Sequence, residues 1–177
     1  MNCSIRSLYE QQGVASLYTS GEYTNPHKDV IQEMVYHFAN LHYIVNCDIL
    51  DLCCGNGEVT EVLSQCNNLV GCDPYMHEVY TRQTGLKCFD YSFDDIAFKE
   101  NIDFSKYNYI FCSYALHLCE QSKMYGLMYK LSTLTDNLVI ISPSDVILER
   151  VHRCGFFKMV YSAKLNRTHL FHFKVIK

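Results

Sequence analysis

The chain has 177 residues, 49% of them hydrophobic, which is enough for one domain with a sizeable core and too apolar for intrinsic disorder. A formal net charge of -4 and a pI near 6.0 exclude a broad basic field for nucleic acid, though not a local patch. No segment approaches the roughly 20 apolar residues of a membrane helix.

Residues 1–24 are mixed, with Tyr9, Tyr18 and Tyr23 spaced among polar residues. No apolar stretch in "MNCSIRSLYEQQ" is long enough for a signal peptide. "TNPHKDVIQEMVYHFANL" then reads as a helix. Asn25 can cap its first turn, Pro26 suits the first helical position, and Val30, Ile31, Met34, Val35 and Phe38 fall on one face. Strands and helices alternate from there. The strands are "CDILDL", "NLVGCD", "KCFD", "YNYIFCSY" and "NLVIIS". Helices are expected over roughly 58–66, after Pro74, and over roughly 119–133 and 144–153.

The tail changes character. "GFFKMVYSAK" and "THLFHFKVIK" are strands separated by "LNR", too short for a crossover helix, so they pair as a hairpin. The fold class is α/β: a three-layer Rossmann-like sandwich whose mainly parallel, seven-stranded sheet ends in an antiparallel hairpin.

Ten cysteines suggest a disulfide framework at first sight. Cys47, Cys72, Cys88 and Cys112, however, sit in or beside apolar strand runs, and no CxxC pair occurs, which argues for reduced core thiols and against a metal site. The expectation is a soluble, cytoplasmic protein.

The first strand runs into "CCGNGE" and then directly into a helix. Gly55 and Gly57 permit a tight turn and close backbone approach to a ligand. In an open parallel sheet, ligands lie beyond the carboxyl ends of the strands, at the switch point. A dinucleotide fingerprint needs glycine three positions after Gly57, where Thr60 stands, so that pattern fails. Asp51 precedes the loop, and an acid there suits an ammonium group better than phosphates.

"DLCCGNG" resembles motif I of the class I S-adenosylmethionine-dependent methyltransferases, acid-x-Gly-x-Gly-x-Gly, with Cys53 in place of one glycine. The resemblance covers residues 27–177, including the closing hairpin, and leaves residues 1–26 as an N-terminal cap segment. It implies S-adenosylmethionine as cofactor, held by Asp51, Cys53, Gly55, Asn56 and Gly57. Asp73, 22 residues after Asp51, would take the ribose hydroxyls; Pro74 and Tyr75 would wall the adenine. Asp90 would take the adenine amino group beside Tyr91, and Cys112 the methionine part. A turn-starting role competes for Asp73, and a loop-capping role for Asp90.

At the fourth strand, "SYALHL" lacks Asn/Asp-Pro-Pro-Tyr and looks like the branch acting on small molecules, with some text shared with tRNA wobble enzymes. Ser113, Tyr114 and His117 are the candidates to face the acceptor, His117 as a base; a helix-cap histidine is the competing reading. Tyr18, Tyr23, Asn25 and His27 are the cap candidates. A small-molecule acceptor is expected first. RNA and protein acceptors stay open, as does a catalytically inactive scaffold or partner subunit, which Cys53 motivates.

Overall fold

The computed structural model describes residues 25–177. Helix α1 spans Lys28–His42, β1 Asp48–Leu52, α2 Glu58–Leu63, β2 Asn68–Cys72, α3 His77–Thr84 and β3 Cys88–Phe89. The second half comprises α4 Phe93–Phe98, β4 Tyr109–Ser113, α5 Gln121–Leu134, β5 Asn137–Ser142, α6 Val146–Cys154, β6 Phe157–Leu165 and β7 Thr168–Val175.

One seven-stranded sheet has the order β3-β2-β1-β4-β5-β7-β6. The first five strands are parallel; β7 pairs antiparallel with both β5 and β6. The expected hairpin is present, and it is β7, its second strand, that inserts beside β5. Chain direction across the sheet reverses between β1 and β4, which makes their carboxyl ends the switch point.

Each face of the sheet carries its own core. Leu50, Leu52, Ile110, Cys112, Leu138 and Ile140 face α4, α5 and α6; Ile49, Phe111, Val139 and Ile141 face α1 and α2. Burial on both faces explains why the central strands read as continuous apolar runs rather than alternating ones.

Helix α1 buries Ile31, Met34, Val35 and Phe38, as its periodicity predicts, while Val30 is only half-buried. It begins at Lys28, so Pro26 lies in the turn before it rather than at the first helical position. Asn25 stabilises that turn, accepting the His27 N–H on Oδ1 at 2.9 Å. Helix α2 stops at Leu63 rather than near 66.

Helix α4 was not expected from the sequence. "SFDDIAF" has one buried residue, Ile96, and so little periodicity, but Ser92 and Asp95 form a reciprocal capping box that starts it. The expected start near 119 is a 3-10 turn at Leu116–Leu118, with α5 following at Gln121.

Candidate cofactor and acceptor site

The glycine loop leaves β1 in a left-handed run. Cys53 has φ 57°, Gly55 φ 52° and Gly57 φ 91°. Cys53 therefore holds the conformation for which glycine is suited, at about 1–2 kcal/mol of strain for a side chain. Its half-buried thiol turns towards that of Cys112 on β4, and that contact together with burial raises its pKa. The sulfur is thus directed at a neighbouring strand. A Cβ on Gly55 would meet only Glu58 Oε2, at 3.5 Å, so its restriction is the backbone angle.

Asp51 is completely buried beneath this loop. Its Oδ2 accepts the Thr60 hydroxyl at 2.8 Å, and Thr60 Oγ1 lies 2.7 Å from the Tyr80 hydroxyl. Oδ1 has no hydrogen-bond partner among the described residues. Burial, opposed by the Thr60 bond and reinforced by Glu58 and Asp73, raises the carboxyl pKa to about 8. Thr60 is the residue that breaks the dinucleotide fingerprint; the hydroxyl found in place of that glycine bonds the acid.

Asp73 follows β2 and is buried, with 8% exposure. Its Oδ1 accepts the N–H groups of Tyr75 and Met76, both at 2.9 Å, and its Oδ2 accepts the Gly55 N–H at 3.2 Å. The carboxylate ties the glycine loop to the turn after β2, so the turn-starting role is real. A carboxylate offers about four acceptor sites. Three are in use, and a second ligand hydroxyl would have to displace the long Gly55 bond. Pro74 is half-buried and Tyr75 is 48% exposed beside it.

Asp90 is exposed just past β3. Tyr91 lies with its ring parallel to Phe89, at 5.4 Å, with Phe104 against its edge and Lys99 Nζ over it at 5.5 Å. This local cluster packs one face and the edge of the Tyr91 ring, which remains partly exposed.

At the β4 end Cys112 is buried and Ser113 half-buried. Tyr114 is left-handed, φ 51°; its hydroxyl lies 2.6 Å from Thr168 Oγ1 on β7, and the His27 ring stacks on it at 4.3 Å. One side chain thereby joins β4, β7 and the start of α1. His117 is an exposed residue of the 3-10 turn, whose Leu116 is buried. The surrounding protein and then the Arg150 guanidinium hold its pKa below the ordinary histidine value. Arg150 on α6 bonds the carbonyls of His117 and Cys119 and the Gln121 amide oxygen, fixing the turn rather than the ring. The imidazole stacked on Tyr114 is His27, not His117. Asn56 lies half-buried in the loop. Tyr18 and Tyr23 lie outside the described residues.

Sequence reasoning missed Thr60, Tyr80 and Arg150. Gly71 was the available signal for Tyr80: a Cβ there would lie 2.7 Å from the Tyr80 ring, so glycine in that strand marks a close approach.

Comparison with solved structures gives the same topology. A magnesium protoporphyrin IX methyltransferase from Synechocystis, with bound S-adenosylmethionine, superposes at TM-score 0.69 and 11% identity, covering 97% of this chain and 95% of that one. The fold is that of the class I methyltransferases. The N-methyltransferase NodS of Bradyrhizobium japonicum, in complex with S-adenosylhomocysteine, gives 0.64 and 14%, covering 86% and 89%. A putative RNA methyltransferase of Pyrococcus horikoshii gives 0.61 and 12%, covering 82% of each chain.

No family model matches the sequence. An uncharacterized protein of Schizosaccharomyces pombe is 27% identical over 131 aligned residues, covering 54% of this chain and 53% of its own length. The match thus spans about half of that relative.

The site fits the cofactor of this fold on its own residues. A buried acid with one unsatisfied oxygen suits an ammonium, and Gly55 and Gly57 leave the loop backbone without side chains at those two positions. No group of three or more His, Cys, Asp or Glu side chains able to hold a metal occurs among the described residues.

Proposed function

We propose that this protein is an S-adenosylmethionine-dependent methyltransferase acting on a small-molecule acceptor. The observation that carries the reading is the buried, half-satisfied Asp51 under a left-handed glycine loop at the switch point of a methyltransferase-type sheet. When bound, S-adenosylmethionine would supply a methyl group on a sulfonium, already a good leaving group. The residues at the site then need mainly to orient and to exclude water.

Asp51 faces the ammonium, Asp73 takes a ribose hydroxyl, Pro74 and Tyr75 flank the adenine near Asp90, and the Cys112–Ser113 backbone borders the methionine part. Tyr114, with His27 stacked on it, walls the acceptor side. His27 replaces His117 as the better-placed imidazole, and burial lowers its pKa, so it is neutral at pH 7 and able to accept a proton. Residues 27–177 are assigned to the methyltransferase domain; the cap expected of residues 1–26, Tyr18 and Tyr23 included, falls almost wholly outside the described residues.

The acidic balance and the absence of a lysine or arginine run support a small acceptor over RNA. The inactive-scaffold reading rested on Cys53 crowding the cofactor. Against that reading, the residue adopts the angle a glycine would take, and its thiol is engaged with Cys112. Among the described residues all nine cysteines are free thiols, which supports a reducing, cytoplasmic compartment, and no helix is long and apolar enough to cross a membrane. Thermal-shift titration with S-adenosylmethionine, S-adenosylhomocysteine and NAD tests the assignment: the first two should stabilise the protein and NAD should not.

A further inference from the structure

Asp51 has surroundings that an ammonium ligand alone does not account for. Around its buried carboxyl stand Glu58 at the start of α2, Asp73 after β2, Tyr80 on α3 and the Cys54 thiol in the loop; each would repel an anion at Asp51 once charged itself. The cation approaching from α1, Lys28, is ion-paired with Glu61 at 2.8 Å, and no salt bridge reaches Asp51 among the described residues. What does reach it is a hydroxyl chain. Thr60 bonds Oδ2, and fully buried Tyr80 bonds Thr60. The chain is held rigidly, because the Tyr80 ring packs against Gly71 and Gly57.

A chain of two hydroxyls can run in either direction. With Tyr80 donating to Thr60 and Thr60 to Oδ2, it polarises towards the carboxylate and stabilises the anion; with a neutral carboxyl the protons can point the other way.

Resting on the methyltransferase reading, we propose that the Tyr80–Thr60–Asp51 chain couples cofactor binding to loss of a proton from Asp51. The free protein holds Asp51 as the neutral acid. When the ligand's ammonium comes to Oδ1, the O–H bond of the carboxyl breaks and its proton passes to the buffer. The carboxylate that remains pairs with the ammonium while Tyr80 and Thr60 donate along the chain. At Asp51 itself the arriving ammonium is matched by one new anion, so neither charge is buried unpaired. Thr60 and Tyr80 are positioning residues acting through Asp51, and they favour an amino-acid-bearing adenosyl ligand over one that lacks that end. The raised Asp51 pKa agrees with this.

The test is isothermal calorimetry of the full chain with S-adenosylhomocysteine, at constant pH in buffers of different ionisation enthalpy. The comparison ligand is methylthioadenosine, which has no ammonium. S-adenosylhomocysteine should release close to one proton between pH 6 and 7, with affinity rising by about tenfold per pH unit there; methylthioadenosine should release none. Tyr80→Phe should weaken S-adenosylhomocysteine by roughly fivefold, the worth of one ordinary hydrogen bond, and methylthioadenosine by less than twofold. Asp51→Asn should abolish the release. A merely structural role for Tyr80 would weaken both ligands equally and would overturn the proposal. So would S-adenosylhomocysteine binding whose heat is independent of buffer and whose affinity is flat with pH; that result would leave the methyltransferase reading standing. If S-adenosylhomocysteine fails to bind the folded protein, the functional reading itself falls, and the proposal with it.

Discussion

Asp73 has a role in the fold beside the ligand role proposed for it. Its carboxylate accepts three backbone N–H groups that join the glycine loop to the turn after β2. Asp73→Ala leaves those donors unsatisfied, so it should cost stability, on the order of 1–3 kcal/mol, as well as affinity. Asp73→Ala is therefore not a clean binding mutant. Asp73→Asn retains an acceptor oxygen and is the better probe. Urea unfolding beside a ligand titration should show Asn near wild type in stability and weaker in binding, whereas the reverse order would place Asp73 in the fold alone.

Gly71 gives a second prediction at this scale. Gly71→Ala would press its Cβ to 2.7 Å from the Tyr80 ring and should destabilise by about 1–3 kcal/mol in urea unfolding. Tyr80→Phe keeps the ring and so would not relieve the clash; a neutral Gly71→Ala would show that the α3 packing is looser than described.

Among the elements, β7 carries a buried polar side chain that periodicity hides. His172 is 2% exposed in the α1-facing core, with Nε2 bonded to Asn137 Oδ1 at 3.0 Å and Nδ1 without a partner among the described residues. Burial, then His42 and Lys174, push its pKa down to about 4, against 6.5 for an ordinary histidine. Below pH 6.5 the unfolded chain takes up a proton that the folded chain refuses. Stability present at neutral pH is therefore lost as pH falls from 6.5 towards 4, and below that both states are protonated.

Asp51 acts in the opposite sense: its raised pKa makes the folded chain keep a proton from about pH 4 to pH 8, so its contribution to stability declines as pH rises through that window. Comparing wild type with His172→Leu cancels the Asp51 contribution. Between pH 7 and 5 the wild type should lose more stability than the variant, and equal losses would mean that His172 is solvated. The elements themselves were legible where apolar runs or a long helical face announced them, as in β5 and α1. Helix α4 was not, because its one buried residue gives no period and its start rests on a side-chain box.

At the scale of the whole molecule, the mainly parallel sheet and its closing hairpin could be read from the chain because alternation and a short connection leave few topologies; the strand order, with β7 rather than β6 beside β5, could not. The site was readable only in part. Glycines and acids at strand ends are local signals, so Asp51, Gly55, Gly57 and Asp73 stand out. Contacts from distant elements were not readable: nothing in the local text links Tyr80 on α3 to Asp51, or Arg150 on α6 to the turn holding His117.

The central claim is that this fold holds an adenosyl ligand with an amino-acid end. Differential scanning of the full chain with S-adenosylhomocysteine, beside NAD, tests it most directly. At a hundredfold excess over Kd the native state gains about 2.7 kcal/mol, which for a chain of this size raises Tm on the order of 5–10 °C. The account predicts that rise for S-adenosylhomocysteine and none for NAD; a folded sample with an unchanged Tm in both S-adenosylhomocysteine and S-adenosylmethionine would contradict it.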